Sequence, residues 1–185
     1  MYIIRNRRPS RVSAELLWQP CFRHGILEPI QKELQKPKET RPTIIIKRSA
    51  FIDSIVSICP NPPETGGIFL GPAETDHIIT DFYFDKGANC SGSTYSPDCS
   101  TLSKKMKEEW IPKGIDMKGF VHSHPNAFDR LSNGDLVYIK RLLNINVKMS
   151  MFFAPVVIPH QFRMNTYVIL RDKPNQPQQP RIIFF

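Results

Sequence analysis

No stretch of this 185-residue sequence approaches the run of about 18 apolar residues that a membrane-spanning helix needs. Its opening lacks the apolar core of a secretory signal, because Tyr2-Ile3-Ile4 is too short and arginines follow it. The four cysteines (Cys21, Cys59, Cys90, Cys99) contain no Cys-x-x-Cys pair. Without an export signal they read as reduced thiols of a cytoplasmic protein. No internal repeat is visible. Acidic residues are outnumbered, 17 Asp+Glu against 25 Lys+Arg, for a formal charge of +8. Basic residues are not interleaved with aromatics, as a single-strand-binding groove requires, so the excess charge argues weakly for nucleic acid.

The charge has an address. Residues 1–42 carry nine basic and four acidic side chains, a net of +5, and the rest of the chain is close to neutral. This divides the chain into a basic N-terminal extension (1–42), a domain (43–171) and a Pro/Gln-rich C-terminal tail (172–185). The extension reads as a solvated or docking arm. With 41% hydrophobic and 23% charged residues the chain is neither disordered nor membrane-embedded. It is also shorter than the roughly 250 residues of a (β/α)8 barrel.

Hydrophobic spacing gives the elements. A short helix is expected at 25–35, a strand at 43–47, a helix at 49–59, and paired strands at 66–71 and 77–84. Residues 86–100 read as a polar loop. A helix at 101–111, a strand at 118–124, a helix from about Ser132 to Ile145, and strands at 149–153 and 162–170 complete the domain. Asp172–Pro180 is expected to pack poorly, while residues 181–185 are apolar enough to dock as an edge strand or against a partner. Strands and helices mixed in this order indicate an α/β fold, a mixed β-sheet flanked by helices.

The chemistry concentrates in Phe120-Val-His-Ser-His-Pro-Asn-Ala-Phe-Asp-Arg-Leu-Ser-Asn-Gly-Asp135. His122 and His124 lie two apart on an expected strand, so both imidazoles face the same way. Asp135 sits in the first turn of the next helix, where its carboxylate can swing back over the strand end. Two histidines and one carboxylate leave a fourth tetrahedral position for water, which marks catalytic rather than structural zinc. Glu64, held between two prolines and Gly66-Gly67, is the candidate base. Ser132 is a candidate donor to a developing oxyanion.

Taken singly these features are common: Ser132-Asn-Gly-Asp135 is also an ordinary capping box. Other His-x-His sites are set aside by what is missing. No Glu lies between Pro125 and Leu131 as a cupin requires, and neither His-x-His-x-Asp-His nor His-Glu-x-x-His occurs.

The combination resembles the JAB1/MPN/Mov34 metalloenzymes, whose JAMM motif is an upstream Glu, then His-[Ser/Thr]-His-Pro, six residues, and Ser-x-x-Asp. Here it stands as Glu64, His122-Ser123-His124-Pro125, Asn126 to Leu131, and Ser132-Asn133-Gly134-Asp135. The resemblance spans about Thr43 to Leu170. It implies a cytidine-deaminase-like sheet, Zn2+ held by His122, His124 and Asp135, Glu64 as the proton shuttle and Ser132 steadying the tetrahedral intermediate. It further implies a deubiquitinase-like isopeptidase that cleaves after the C-terminus of a ubiquitin-like modifier. The setting implied is a bacterial conjugation or antiphage system, with activating-like and conjugating-like enzymes as partners. Loop 86–100 is expected to help hold the modifier's tail. Two other readings stay open: a sulfur-carrier-processing hydrolase on the same scaffold, and a non-catalytic MPN scaffold.

Overall fold

Strand β2 (Gly66–Pro72) and strand β7 (Ile115–Ser123) run antiparallel at the centre of the molecule, and their side chains alternate between two hydrophobic layers. On β2, Ile68 and Leu70 point into one layer and Phe69 into the other; on β7, Phe120 and Val121 divide in the same way. A strand buried on both faces needs covering elements on both, and the rest of the fold supplies them. The computed structural model describes residues 41–61, 64–91, 94–125 and 128–185. The helix expected at 25–35, and all of the basic extension but Arg41 and Pro42, lie outside the described residues.

The elements follow in chain order. β1 (Thr43–Ile46) leads into helix α1 (Arg48–Ile58), then β2, β3 (Ile78–Ile79), β4 (Asp81–Phe84), β5 (Asn89–Ser91) and β6 (Thr94–Ser96). Helix α2 (Cys99–Lys105) continues as a π-helical turn (Met106–Trp110) before β7, and α3 (Asn133–Ile145) comes next. β8 (Met151–Phe153), β9 (Val156–Ile158), β10 (Arg163–Asn165), β11 (Val168–Leu170) and β12 (Arg181–Phe184) complete the chain. The main sheet has seven strands in the order β10-β9-β7-β2-β4, with β8 paired to both β7 and β11. A smaller sheet, β12-β1-β3, is parallel throughout.

On one face of the main sheet, α1 and β1 bury Ile44, Ile46 and Ile58 against Phe69, Val121 and Phe153. On the other, Trp110 of the π turn and Ile139 and Leu143 of α3 pack on Ile68, Phe120 and Phe152. Each large side chain buried in this way contributes about 1.5–3 kcal/mol. Helix α2 starts where Asp98 accepts a hydrogen bond from Thr101 N at 3.1 Å. The mixed sheet with helices on both faces is the α/β architecture read from the sequence.

The differences are local. Residues 86–100 are not all loop, because β5 and β6 form a hairpin with Cys90 opposite Tyr95. The expected strand at 77–84 is divided between the two sheets, β3 joining β1 and β4 joining β2. β9 went unread, and the strand expected at 162–170 is two, β10 and β11. Within 172–180, Gln178 and Val168 exchange backbone hydrogen bonds of 2.8 and 3.0 Å, so the stretch is held to β11 although most of it is polar. β12 docks as an edge strand, in register with β1 from Thr43↔Arg181 to Ile46↔Phe184. Among the described residues no helix is long and apolar enough to cross a membrane.

Candidate metal centre

The β2–β7 ladder builds the site. Its register sets Gly66 opposite His122, and Ser123 N donates to Thr65 O at 2.9 Å one step further. The Ser123 hydroxyl also accepts from Thr65 N at 3.2 Å, so the backbone next to Glu64 is pinned to the histidine strand. Carried one residue on, the same register sets Glu64 opposite His124. Glu64, Gly66, Ile68, Phe120, His122 and His124 then share one face of the sheet, the face that α3 covers. Glu64, His122 and His124 are all buried.

Helix α3 brings the third candidate ligand. Ser132 is its N-cap in extended conformation, and Ser132 and Asp135 form a reciprocal capping box. Asp135 Oδ2 accepts from Ser132 N and from Ser132 Oγ, each at 2.7 Å, while Ser132 Oγ accepts from Asp135 N at 3.2 Å. The box turns the carboxylate back over the strand end. Asp135 Oδ1 lies 3.3 Å from His122 Nε2, and Oδ2 lies 3.4 Å from His124 Nε2. The two Nε2 atoms face each other at 2.5 Å. At this distance the two ring nitrogens either share a proton or flank a cation. One ligand atom from each of the three side chains lies within 4.8 Å of the others. Two imidazoles and one carboxylate suit zinc and leave one tetrahedral position over, so the donor set fits the ion.

Burial alone would raise the Asp135 pKa. The hydrogen bonds from His122, His124 and Ser132 outweigh it and hold the carboxyl far below the ordinary range. Asp135 is therefore an anion at the centre of the group.

Aromatic rings frame both histidines. Tyr95 stacks on His122 with centroids 6.0 Å apart and planes at 14°, and Phe120 meets the same imidazole at 5.3 Å. Phe128 stacks on His124 at 5.2 Å and 4°. The Tyr95 hydroxyl donates to the buried carboxylate of Asp85 at 3.2 Å. Burial, then the charge and hydrogen bond of Asp85, push the Tyr95 phenol far above its usual range, so it stays a donor. A cavity of about 460 Å3 opens beside these groups, lined by Glu64, Tyr95, His124, Phe128, Ser132 and Asp135 among others.

All five residues singled out in the sequence thus meet in one place. The proton of Ser132 is committed to Asp135 in this state. His160 is exposed against Gln161 and His77 is half-buried; neither joins the group. Asp85, Tyr95 and Phe128 were not foreseen. For Tyr95 the signal is Asn89-Cys-Ser followed by Thr94-Tyr-Ser around Gly92-Ser93, a hairpin pattern inside a segment that reads as loop.

A family model described as prokaryotic homologs of the JAB domain matches residues 52–175, a span that contains every one of these groups. The chain belongs to this Prok-JAB family. None of the curated proteins matches it. Among solved structures, the solution structure of a Desulfitobacterium hafniense protein aligns with TM-score 0.58 at 19% identity, over 77% of this chain and 92% of that one. A Salinibacter ruber protein aligns with TM-score 0.50 at 16% identity, over the same 77% and 92%. A JAB1/MPN domain protein of Archaeoglobus fulgidus is a looser match, with TM-score 0.43 and 15% identity over 77% of this chain and 98% of that one. In this Prok-JAB chain the residues of the JAMM pattern stand at the end of the β2–β7 ladder and at the start of α3.

Proposed function

We propose that this Prok-JAB domain is a zinc-dependent amide hydrolase that cleaves after the C-terminus of a ubiquitin-like modifier, in a conjugate or a precursor. The observation that carries the reading is the convergence of His122, His124 and Asp135 beside a buried Glu64 on one cavity. The chemistry a zinc ion supplies in such a site is Lewis acidity toward water and the substrate carbonyl.

The chain's own residues do the rest. His122, His124 and Asp135 are the residues that would hold the ion. Glu64 takes the proton of the attacking water on its carboxylate and delivers it to the leaving amine, a role worth about 10²–10⁴-fold in rate. Ser132 donates to the developing oxyanion once its hydroxyl turns away from Asp135. The β5–β6 hairpin stands at the cavity, contributing Tyr95, Ser96 and Pro97 to its lining. An extended modifier tail adds to an edge there, so that backbone hydrogen bonds align the scissile carbonyl. Activating-like and conjugating-like enzymes that charge the same modifier are the partners this reaction calls for.

The test is cleavage of a panel of modifier fusions, including those encoded beside the gene, by wild type and by Glu64→Gln. The variant is expected to retain zinc and lose at least about 10²-fold in rate. Equal rates would remove Glu64 from the mechanism. A wild type that holds no zinc after gentle purification would favour a scaffold role.

A further inference from the structure

Zinc-bound histidines usually donate their second ring nitrogen to a carboxylate, a carbonyl or water, which fixes the ring and its tautomer. His122 departs from that rule among the described residues: its Nδ1 is buried and finds no hydrogen-bond partner among them. Something else must hold the imidazole.

The register supplies the answer. Gly66 faces His122 on β7, and on its other side Asp85 N donates to Gly66 O at 3.1 Å, one step beyond the Gly67↔Phe84 pair of β2 and β4. His122, Gly66 and Asp85 therefore form a row across three strands with their side chains on one face. Adjacent strands lie about 4.8 Å apart, so the glycine leaves a slot between the imidazole and the carboxylate. The ring of Tyr95 fills that slot: a Cβ placed on Gly66 would come within 2.9 Å of Tyr95 Cζ and 2.5 Å of Val121 O. One end of the phenol is anchored on Asp85, which also accepts from Asp98 N at 3.0 Å, and its face lies on His122.

We infer that Tyr95, anchored by Asp85 in the slot over Gly66, is the positioning residue for His122, holding the ring by stacking where a hydrogen bond ordinarily would. The inference rests on the zinc reading, and it deepens that reading by tying the β5–β6 hairpin to a metal ligand. The hairpin is then part of the metal site as well as a wall of the cavity.

The test is zinc affinity of the full chain by chelator competition, set beside the melting temperature of the metal-free protein, for wild type, Tyr95→Leu and Tyr95→Phe. Tyr95→Leu removes the stacked face and is expected to weaken zinc by about 10–100-fold, the range typical of lost outer-shell support. Tyr95→Phe keeps the face and loses the anchor; it is expected to restore affinity to within a few-fold of wild type despite a lower melting temperature. That split separates ring positioning from general stability, which would move both quantities together. Equal zinc affinity in Tyr95→Leu and wild type overturns the inference and leaves the zinc site intact. So does a Tyr95→Phe as weak as Tyr95→Leu. A wild type without measurable zinc affinity overturns the metal reading and the inference with it. Should Tyr95→Leu fail to fold, Tyr95→Met replaces it: a flexible apolar chain fills the slot without a flat face and should weaken zinc by the same range of about 10–100-fold, and wild-type affinity in it overturns the inference.

Discussion

His122 and His124 stand two residues apart on one strand end, yet they occupy different surroundings. His122 is enclosed between Tyr95 and Phe120, opposite a glycine, and its aromatic neighbour is tethered to a buried carboxylate. His124 stacks on Phe128, whose ring is 44% exposed and has no such tether. The period of a strand sends both imidazoles the same way and both are buried, but only His124 lines the cavity. His122 is held between packed rings, and His124 stands at the wall of the cavity. A site built this way keeps half of its geometry rigid and leaves the other half open to traffic.

The largest expected effect tests that division directly. Alanine at either histidine should abolish zinc binding and cleavage, but His122→Ala should also cost about 1–3 kcal/mol of stability, because it opens a cavity beside Tyr95 and Phe120. His124→Ala should cost less than about 1 kcal/mol, since Phe128 can relax toward solvent. Denaturant midpoints of the metal-free variants decide the matter, and equal losses would mean that the two positions are alike.

Gly66→Ala should come next. Its Cβ would meet Val121 O and the Tyr95 ring, so a destabilisation of about 1–3 kcal/mol is expected together with roughly tenfold weaker zinc. An unchanged affinity in a folded variant would show that the slot is not needed. The smallest effect belongs to the mouth. Phe128→Ala should leave zinc affinity within about threefold, because a single aromatic pair contributes about 0.5–1.5 kcal/mol and this one is partly solvated. The KM for a modifier fusion should rise in the same variant, and steady-state kinetics on it would show whether the outer wall serves the substrate or the metal.

Much of the site was legible in the sequence, because its signals are local. His-x-His on a strand and a Ser and an Asp at the start of a helix obey fixed periodicities, and those periodicities put His122, His124, Ser132 and Asp135 within reach of one another. Glu64 required a family pattern, since nothing in its immediate neighbours says which strand it will face. Tyr95 and Asp85 were out of reach for a different reason. Their roles depend on strand order β7-β2-β4 and on a register that sequence spacing does not encode. β9 escaped because a three-residue strand between Pro155 and Pro159 offers too short a pattern to alternate. The split of 77–84 between two sheets is not legible because Thr80, the single residue between the two strands, stays extended beside Leu70, whose carbonyl accepts from its N–H at 2.9 Å, so no turn signal marks the division.

The last strand carries a consequence for how the domain comes into being on the ribosome. β1 is made well before its neighbour β12, with which it pairs from Thr43↔Arg181 to Ile46↔Phe184. Phe185 N donates to Ile46 O, and Phe185 O accepts from Arg48 N. Until residues 181–185 have left the exit tunnel, the β-branched run Thr43–Ile46 presents a bare, apolar edge to everything around it, the state most open to strand-by-strand association. Pairing between segments this far apart in the chain also closes a long loop, which slows folding. Completion of the smaller sheet therefore waits until both of these distant segments have been made.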